Sequence, residues 1–520
     1  MDAHRVVNVS VRRRDGAGLL RGVPAIVLVV TATVIPFAGL VAKVVGAGDV
    51  FAVWSRPGVS STAWFSVWMG AVSTVATLAI GLPAAWIVAR HRFRGRDLIR
   101  VVLGAPFVLP TVVVGAAFLA LVPGGRGLVA IVAAHTFFNI SVVLRTTTPV
   151  FSAIHDDLVD AARTLGAGRI RTLREIVWPL TRSAVTAAAG LVFVLSATSY
   201  GIVRILGSAT RSTIDVEIYR RAIEFGDPSG AAALALTQAV AMLVVVTWSA
   251  SRRGVPFTTL ASGSRRRLPR AGVLYVWILA VAVVLPIGAL VTRSFRGADG
   301  WTVSGWRAVF GGDHSRLEGV DLLGALGNSI RFAVIAAIVA VPVAILVARP
   351  RRNSRLVTLI ASTPVAMSSV IVGLGILITY DVEPFDFRSA WWLIPAVHAS
   401  VALPYALRSI APLVASLPTG LGEAAATLGA SPWRAWWSVE LPLLRPALAT
   451  ATATSLAVSL GEFGATSLLT RRDTRTLPLL VESLLGRSGG VGSTAGSAAA
   501  TMLLVLTGFV IVVLDRGLRT

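Results

Sequence analysis

The 520-residue sequence contains no cysteine, a single lysine, and only 25 acidic residues against 48 lysines and arginines. The absence of cysteine excludes disulfides, thiolate catalysis and cysteine-ligated metal sites. The one lysine, Lys43, lies in the run VAKVV, so the chain has no Gly-rich phosphate-binding loop ending in Gly-Lys-Ser/Thr. No paired carboxylates, HExxH motif or nucleophile constellation stands out either. We therefore expect a protein that is not an enzyme and that holds no cofactor and no metal.

What the chain has in abundance is apolar surface. Hydrophobic residues make up 55% of it, charged residues 14%, and the mean hydropathy is +0.77. A soluble fold of this length could not bury so much apolar surface, so the composition indicates a membrane protein in contact with lipid. The net charge of +23 is not evidence for nucleic acid. The arginines cluster at the ends of apolar runs, as the positive-inside rule predicts for cytoplasmic loops.

The apolar runs have the length of membrane-spanning helices. Crossing about 30 Å of hydrocarbon at ~1.5 Å per residue takes about 20 residues. No alternation of the barrel type occurs, so the spans are predicted to be helical. Twelve are predicted, at 23–42, 63–89, 101–122, 127–144, 183–206, 230–250, 271–292, 328–348, 356–380, 390–407, 447–470 and 494–514. The first follows an arginine-rich start, but it lacks a convincing small-residue cleavage site and is interpreted as a retained helix.

The charges of the loops predict the orientation. The segments 90–100, 251–270 and 349–355 are strongly basic, whereas 379–388 is acidic. Basic loops face the cytoplasm in most membrane proteins. Counting spans from that assignment places both termini and the segment 251–270 on the cytoplasmic side of a bacterial cytoplasmic membrane.

The two halves of the chain are a repeat with an offset of 263 residues. The matched pairs include Asp160 with Glu423, Gly166 with Gly429, Pro179 with Pro442, His135 with His398 and Arg145 with Arg408. Six predicted spans on each side give both copies the same topology, so they are parallel repeats. The predicted organisation is a first half at 1–250, a basic linker at 251–270 and a second half at 271–520.

Each half contains one polar segment on the predicted cytoplasmic side, at 160–179 and 423–442. In the second, Gly429 can take the left-handed conformation that ends a helix, and Ser431 with Pro432 is typical of a helix start. The segment therefore predicts helix, sharp turn, helix, with an aromatic side formed by Trp433, Trp436 and Trp437. An interfacial helix with its tryptophans among lipid headgroups is the alternative. The duplication in register favours a docking element for a two-fold partner.

The repeated segment resembles the EAA loop of permease subunits in ABC-type importers, which has Glu-Ala-Ala, then Gly, then Leu-Pro at fixed spacing. The second copy matches it at Glu423, Ala424, Ala425, Gly429, Leu441 and Pro442. The first matches it at Ala161, Ala162, Gly166, Ile176 and Pro179, with Asp160 in place of Glu and Trp178 in place of Leu. The resemblance implies the type I importer permease fold, in which these loops form coupling helices. It also implies two partners, a dimeric ATPase on the cytoplasmic face and a solute-binding protein on the opposite face.

The fused two-half layout resembles the permeases of thiamine and ferric iron importers. The run SLGEFGA at 459–465 is similar in both groups, whereas AHTFFN at 134–139 and RTLPLL at 475–480 look more like the thiamine group. Thiamine or its phosphates is therefore the favoured solute and ferric iron the alternative. An ion-coupled secondary transporter is a further alternative, which would need more intramembrane charge than this chain offers.

Four residues are candidates for the translocation pathway. Glu462 is predicted inside a span, where a carboxylate is costly and usually functional, and it would suit a cationic solute. A structural hydrogen-bond acceptor is the alternative role. His135 and His398 share one repeat position, and a helix-packing role is favoured over a metal site. Asn139 completes the set.

Overall fold

The structure, a computed structural model, describes residues 23, 27–28, 30–47, 52–122, 124–208, 210–251, 266–267, 269–297, 300–310, 321–348, 367–381, 387, 390–418, 420–487 and 490–516. The arginine-rich start, most of the linker 251–270 and the basic segment 349–355 lie outside these residues. So do the first part of the predicted span 356–380 and most of the acidic segment 379–388.

The described elements are nearly all helices. Before the linker these are α1 (Ile35–Gly46), α2 (Val59–Arg90), α3 (Arg96–Gly104), α4 (Thr111–Leu121), α5 (Leu128–Ser152), α6 (Asp156–Thr164), α7 (Arg169–Thr172), α8 (Trp178–Ala197), α9 (Gly201–Leu206), α10 (Ile214–Tyr219) and α11 (Pro228–Ser251). After it come α12 (Arg270–Ser294), α13 (Ser304–Val309), α14 (Leu322–Ala348), α15 (Ser369–Thr379), α16 (Leu393–Ser416), α17 (Leu421–Thr427), α18 (Pro432–Ala435), α19 (Leu441–Leu460), α20 (Gly464–Leu469), α21 (Leu477–Leu485) and α22 (Gly490–Arg516).

Short irregular elements connect these helices. π-Helical segments occupy Val30–Val34, Leu173–Val177, Arg220–Glu224 and Trp436–Glu440, and 3-10 turns occupy Ala52–Ser55 and Pro106–Val108. Two-residue strands β1 (His91–Arg92) and β2 (Arg266–Arg267) pair in parallel, and β3 (Arg296–Gly297) and β4 (Gly300–Trp301) pair antiparallel. The β1–β2 pairing places the backbone of the linker's end beside the basic segment 90–100.

The prediction of an all-α polytopic membrane protein is confirmed. Among the described residues, nine helices are long and apolar enough to cross a membrane, and the pair Arg96–Val108 with Thr111–Leu121 makes a tenth if it is one span. Shorter apolar helices at Val30–Gly46 and Ser369–Thr379 lie where the first and ninth spans are predicted. Each of the twelve predicted spans thus contains an apolar helix.

Three predicted spans cross a break between helices. The span 101–122 is broken by a bend of 109°, next to Pro106 and Pro110, because proline cannot donate a helical hydrogen bond and clashes with the preceding turn. The predicted spans 183–206 and 447–470 start and end later than the helices in the structure. The corresponding continuous helices are Ile170–Ala197 and Pro432–Leu460, and α9 and α20 follow as separate short helices.

The helices form two compact units that run across the sequence halves. One comprises Met1–Ala42, Gly327–Thr474 and Leu506–Thr520, and the other Lys43–Leu326 and Arg475–Val505. In the first unit, the Tyr380 hydroxyl donates to the Thr31 carbonyl at 2.7 Å. In the second, the Tyr275 hydroxyl on α12 donates to the Ile80 carbonyl on α2 at 2.7 Å. Each half's opening helix therefore packs in the unit that holds the other half's main helices.

Small residues allow the helices of the second unit to pack closely. A Cβ added to Gly81 on α2 would lie 3.0 Å from a Val143 methyl on α5, and one added to Gly70 would lie 3.0 Å from the Ala197 methyl on α8. Glycine at such contacts lets backbones approach, which is the usual basis of helix association in membranes. Val142, Val143 and Val192 form the apolar core beside these contacts.

Ion pairs hold the segment between α10 and α11. Arg221, with 8% of its side chain exposed, lies 2.9 Å from a Glu217 carboxylate oxygen and 3.2 Å from one of Asp227. Asp227 also pairs with Arg56 and accepts a hydrogen bond from the Gly230 N–H at 3.0 Å. Burial acts to raise the pKa of Asp227, but the Gly230 hydrogen bond and the two guanidinium groups outweigh it and hold that pKa below the ordinary value of an aspartate.

Asp227→Asn is expected to lower the melting temperature at pH 7. A carboxylate whose pKa is lower in the folded chain stabilises it above the unfolded value, and that stabilisation is lost as the pH falls through the folded value. The difference between wild type and variant should therefore shrink below about pH 4. Thermal melts across pH check this, with Asp97→Asn, at a carboxylate that is 93% exposed, as the control. Identical melting of wild type and Asp227→Asn at pH 7 would contradict the assignment.

Candidate functional site

The two EAA-like segments end their first helix with the same turn. Gly166 and Gly429 have φ of 80° and 78°, which is the left-handed region. The Ala167 N–H donates to the Ala162 carbonyl at 2.9 Å, and the Ala430 N–H donates to the Ala425 carbonyl at 3.0 Å. With the bond from each glycine to the residue three before it, this is the Schellman pattern. The predicted turn at Gly429 is thus confirmed, and its repeat copy has the same hydrogen bonds.

The second helix of the loop starts differently in the two copies. In the second copy, the Ser431 hydroxyl accepts a hydrogen bond from the Arg434 N–H at 3.3 Å, and Pro432 is the first residue of α18. This confirms the predicted cap. The first copy has Gly168 and Arg169 at the equivalent positions and lacks both features. A Ser cap is worth only roughly a few tenths of a kcal/mol over glycine, so the two helix starts differ more in hydrogen bonding than in stability.

A π-helical turn follows at the same place in each copy. Leu173–Val177 and Trp436–Glu440 are 263 residues apart and lead directly into α8 and α19. Pro179 and Pro442 are the second residues of those helices. A proline removes the bond to the carbonyl four residues earlier and clashes with it, and here that carbonyl lies inside the wider π turn. The proline of the motif is the signal by which sequence could have located this turn.

Each EAA-like segment is continuous with a spanning helix. The helix from Pro432 runs without a break to Leu460, and the one from Ile170 runs to Ala197. Trp436 packs its half-buried side chain against a core cluster that includes Val347, Leu407 and Leu444. The segment is therefore fixed to the helical bundle by packing as well as by covalent continuity.

Each EAA-like segment also carries apolar side chains that nothing in the described chain covers. Leu165 and Leu428, at equivalent positions, are 86% and 88% exposed, and Ile170 and Trp433, also equivalent, are 81% and 70% exposed. Trp437 lies beside Trp433 with ring centroids 5.5 Å apart. Contiguous exposed apolar residues of this kind are typical of a protein-binding surface.

The residues of the motif divide by exposure. Ala162 and Ala425 are buried at 8% and 7% and supply the carbonyls of the turn. Asp160 lies 3.5 Å from the Arg163 guanidinium in an exposed ion pair. The exposed members are Ala161, Gly166, Pro179, Glu423, Ala424 and Gly429, and the half-buried ones are Asp160, Ile176, Leu441 and Pro442.

Glu462 is not inside a continuous helix as predicted. It lies in the break between α19 and α20 and is 6% exposed. Its carboxylate accepts hydrogen bonds from the N–H groups of Ala465 and Thr466 at 3.1 and 3.0 Å and from the Thr466 hydroxyl. These are the donors that a helix start leaves without internal partners. The carboxylate therefore stabilises the break by hydrogen bonds to the start of α20.

The two histidines of the repeat have different partners. His398 lies 2.7 Å from the Ser459 hydroxyl and 2.9 Å from that of Thr466, and its Nε2 lies 3.7 Å from a Glu462 oxygen. His135 lies 3.1 Å from the Ser73 hydroxyl, and its Nε2 has no hydrogen-bond partner in the described structure. The two histidines thus occupy equivalent positions of the repeat, but their hydrogen-bond partners differ. The symmetric helix-packing role stays a prediction.

Asn139 lies one helical turn after His135 on α5 and donates to the Ser196 hydroxyl at 3.2 Å. The structure thus groups Glu462 with His398 in one compact unit and His135 with Asn139 in the other. Ser459, Thr466 and Ser73 contact these residues and escaped the sequence analysis, although hydroxyls at helical spacing around a buried carboxylate are a usable signal. Within the described ranges, no group of three or more His, Cys, Asp or Glu side chains could hold a metal ion.

Comparison with known proteins matches both halves of the chain to one family model. Residues 81–253 and 340–520 match the family described as binding-protein-dependent transport system inner membrane component. The chain is 28% identical to the thiamine transport system permease protein ThiP of Brucella suis over 493 residues, covering 87% of each chain. It is 26% identical to ThiP of Escherichia coli over 538 residues, covering 96% of each. A third relative is the putative 2-aminoethylphosphonate transport system permease protein PhnV of Salmonella typhimurium. It is 32% identical over 154 residues, which are 30% of this chain and 57% of PhnV.

Proposed function

The chain belongs to the family of binding-protein-dependent transport system inner membrane components, and from that premise we propose that it is the permease of an importer for thiamine or its phosphates. A separate dimeric ATPase drives transport, and an extracytoplasmic binding protein delivers the solute. The resemblance to thiamine permeases over 87% and 96% of the chain supports the choice of solute. The single observation that carries the coupling to an ATPase is the pair of identical turns with exposed apolar side chains.

The coupling surface consists of Leu428, Trp433 and Trp437 in one half and Leu165 with Ile170 in the other. Each set is exposed in the described chain, and a docked partner would bury it. The loops and both termini lie on the cytoplasmic side in this proposal, where an ATPase can reach them. One copy of the fused chain offers two such surfaces, which fits the two halves of an ATPase dimer.

Transport follows by alternating access. ATP binding closes the ATPase pair and draws the two coupling segments together. Because each segment is continuous with α8 or α19, its displacement moves a whole spanning helix. The inner-facing and outer-facing arrangements then exchange, and the solute passes without being held tightly.

Glu462 is the pathway residue that suits this solute. Thiamine is a cation, and a buried carboxylate at the end of a spanning helix can stabilise a positive charge in transit. His398, 3.7 Å from it, orients toward the same carboxylate. His135 and Asn139 are the corresponding candidates in the other unit, where Nε2 of His135 and Oδ1 of Asn139 have no hydrogen-bond partner among the described residues.

Uptake measurements in proteoliposomes test the proposal. Vesicles that contain the permease, its ATPase and the binding protein should take up thiamine when ATP is supplied to the ATPase. Omission of the ATPase, the binding protein or ATP should each abolish uptake. Uptake driven by an ion gradient without ATP would instead indicate a secondary transporter.

Calorimetric titration of the cognate binding protein separates the candidate solutes. Thiamine, thiamine diphosphate and ferric iron are titrated in turn, and tight binding of thiamine or its diphosphate is expected. Tight binding of ferric iron with none of thiamine would replace the favoured solute by the ferric iron alternative while leaving the ATPase-coupled mechanism intact.

A further inference from the structure

An apolar groove runs along the outside of the helix α12. It has a volume of about 620 Å³ and is lined on one side by Leu98, Ile99 and Val102 of α3. The α12 side extends from Trp277 through Val284 and Gly288 to Thr292. The fifteen steps from residue 277 to residue 292, at ~1.5 Å each, give a length of about 22 Å, which exceeds one leaflet's share of a ~30 Å hydrocarbon core. The groove can therefore hold a single acyl chain over its whole depth.

The lining is open to the outside within the described structure. Val281, Val284 and Leu285 are 60%, 52% and 53% exposed, and only 28% of the most apolar part of α12 is buried, the lowest share among the nine spanning helices. In a membrane-spanning helix such side chains face lipid. A volume of this size lies within the roughly 300–1,000 Å³ of small-molecule pockets. The groove is therefore large enough to hold one ordered lipid chain, rather than to be only transiently contacted by bulk lipid.

One end of the groove is strongly basic. Arg270 lies two helical turns before Trp277 on the same face of α12, about 10 Å away along the axis. Arg94 directly precedes Gly95, whose added Cβ would lie 2.8 Å from the Trp277 ring. Both arginines are exposed, and neither forms an ion pair with a described residue. Asp97, the one carboxylate of the segment 90–100, is paired with Arg96 at 3.7 Å.

We propose that this groove binds one anionic phospholipid, with an acyl chain along α12 and the headgroup phosphate between Arg94 and Arg270. Two guanidinium groups at the end of an apolar channel complement a phosphate attached to a hydrocarbon chain, because arginine binds phosphate through paired N–H donors. A neutral phospholipid would fill the groove equally well but, with no net negative charge, would gain less from the two arginines. The site depends on membrane residence and is independent of the transported solute.

The test compares lipids that differ only in the headgroup. The delipidated full-length protein is mixed with phosphatidylglycerol or with phosphatidylcholine of the same acyl chains, and native mass spectrometry counts the lipids retained. Wild type should retain phosphatidylglycerol in preference. Arg94→Ala and Arg270→Ala should each weaken that retention roughly fivefold, without effect on phosphatidylcholine. The paired control is Arg126→Ala with Arg182→Ala, at exposed arginines outside the groove.

Filling the groove provides a second, independent arm. Gly288 lines the groove and has open space where a side chain would extend, so Gly288→Trp should fold and should block retention of both lipids. Gly508→Trp, at another spanning-helix glycine with open space, is the control. Equal retention of the two lipids by wild type would overturn the headgroup site. Unchanged phosphatidylglycerol retention in Gly288→Trp would overturn the groove as its location.

Discussion

Gly429→Val is expected to reduce, by about 5- to 30-fold, both the ATPase that co-purifies with the complex and ATP-driven uptake. Gly429 has a φ of 78°, which a branched L-residue adopts only at a cost, roughly 1–2 kcal/mol or more. Relief of that strain opens the turn and changes the angle between α17 and α18, and with it the relative positions of the exposed Leu428 and Trp433. One to two kcal/mol corresponds to about a 5- to 30-fold loss of the competent form. Co-purification of the ATPase with the permease measures it directly.

The matched control is Gly429→Asn. Asparagine has nearly the size of valine, but it tolerates the left-handed region and also ends helices in this way. No described atom lies within 4 Å of where the Cβ would be, so neither variant is expected to clash within the chain. The asparagine variant should retain the ATPase and the valine variant should lose it, with equal thermal stability of the permease itself. Equal behaviour of the two variants in the co-purification would show that the left-handed turn does not govern docking.

Glu462→Ala is expected to lower both the stability of the permease and its transport. The substitution leaves two buried N–H groups without their acceptor, at about 1–3 kcal/mol for each unsatisfied donor. It also removes the one carboxylate of the break between α19 and α20. Loss of a hydrogen bond to a charged group amounts to about 1.5–3 kcal/mol. This corresponds to a change of roughly 10- to 150-fold in the equilibrium constant of a step that depends on that bond. Melting temperature and thiamine uptake are measured on the same preparation.

Glu462→Ser separates the structural role from the transport role. A serine hydroxyl accepts from the N–H three residues later, as at a helix start, and Ser199 is the residue at the equivalent position of the first half. This variant should recover most of the melting temperature without recovering uptake, since the negative charge is still missing. Wild-type uptake by Glu462→Ser would remove Glu462 from the pathway. A wild-type melting temperature for Glu462→Ala would remove its structural role.

Local features of the coupling loops could be predicted from sequence because each depends on a few adjacent residues. Gly429 fixes the left-handed turn, and Ser431 with Pro432 fixes the helix start, so the structure repeats what those residue types favour. The π turn before Pro442 has an equally local cause, a proline four residues after a carbonyl. It escaped the sequence analysis, which starts the span at residue 447.

Features that depend on distant residues could not be predicted in this way. Hydropathy indicates where a span is, but the early end of α19 depends on hydrogen bonds that the Glu462 side chain accepts beyond that end. The opening helices α1 and α12 each pack in the unit of the other half. This placement depends on contacts such as that of Tyr380 with Thr31, between segments more than 300 residues apart. Repeat symmetry equates His135 with His398, whereas their partners, Ser73 in one case and Ser459 with Thr466 in the other, come from non-equivalent positions.

The break that contains Glu462 has a consequence for how this protein can evolve. Its counterpart is Ser199, and the counterpart of Asn139 is Ala402, so the two copies differ at buried positions. A transporter assembled from two identical chains receives every mutation twice, so an acidic residue at this position would arrive as two buried carboxylates. A single gene that encodes both copies can acquire one charge at a time. Selection can then change the number of buried charges in steps of one.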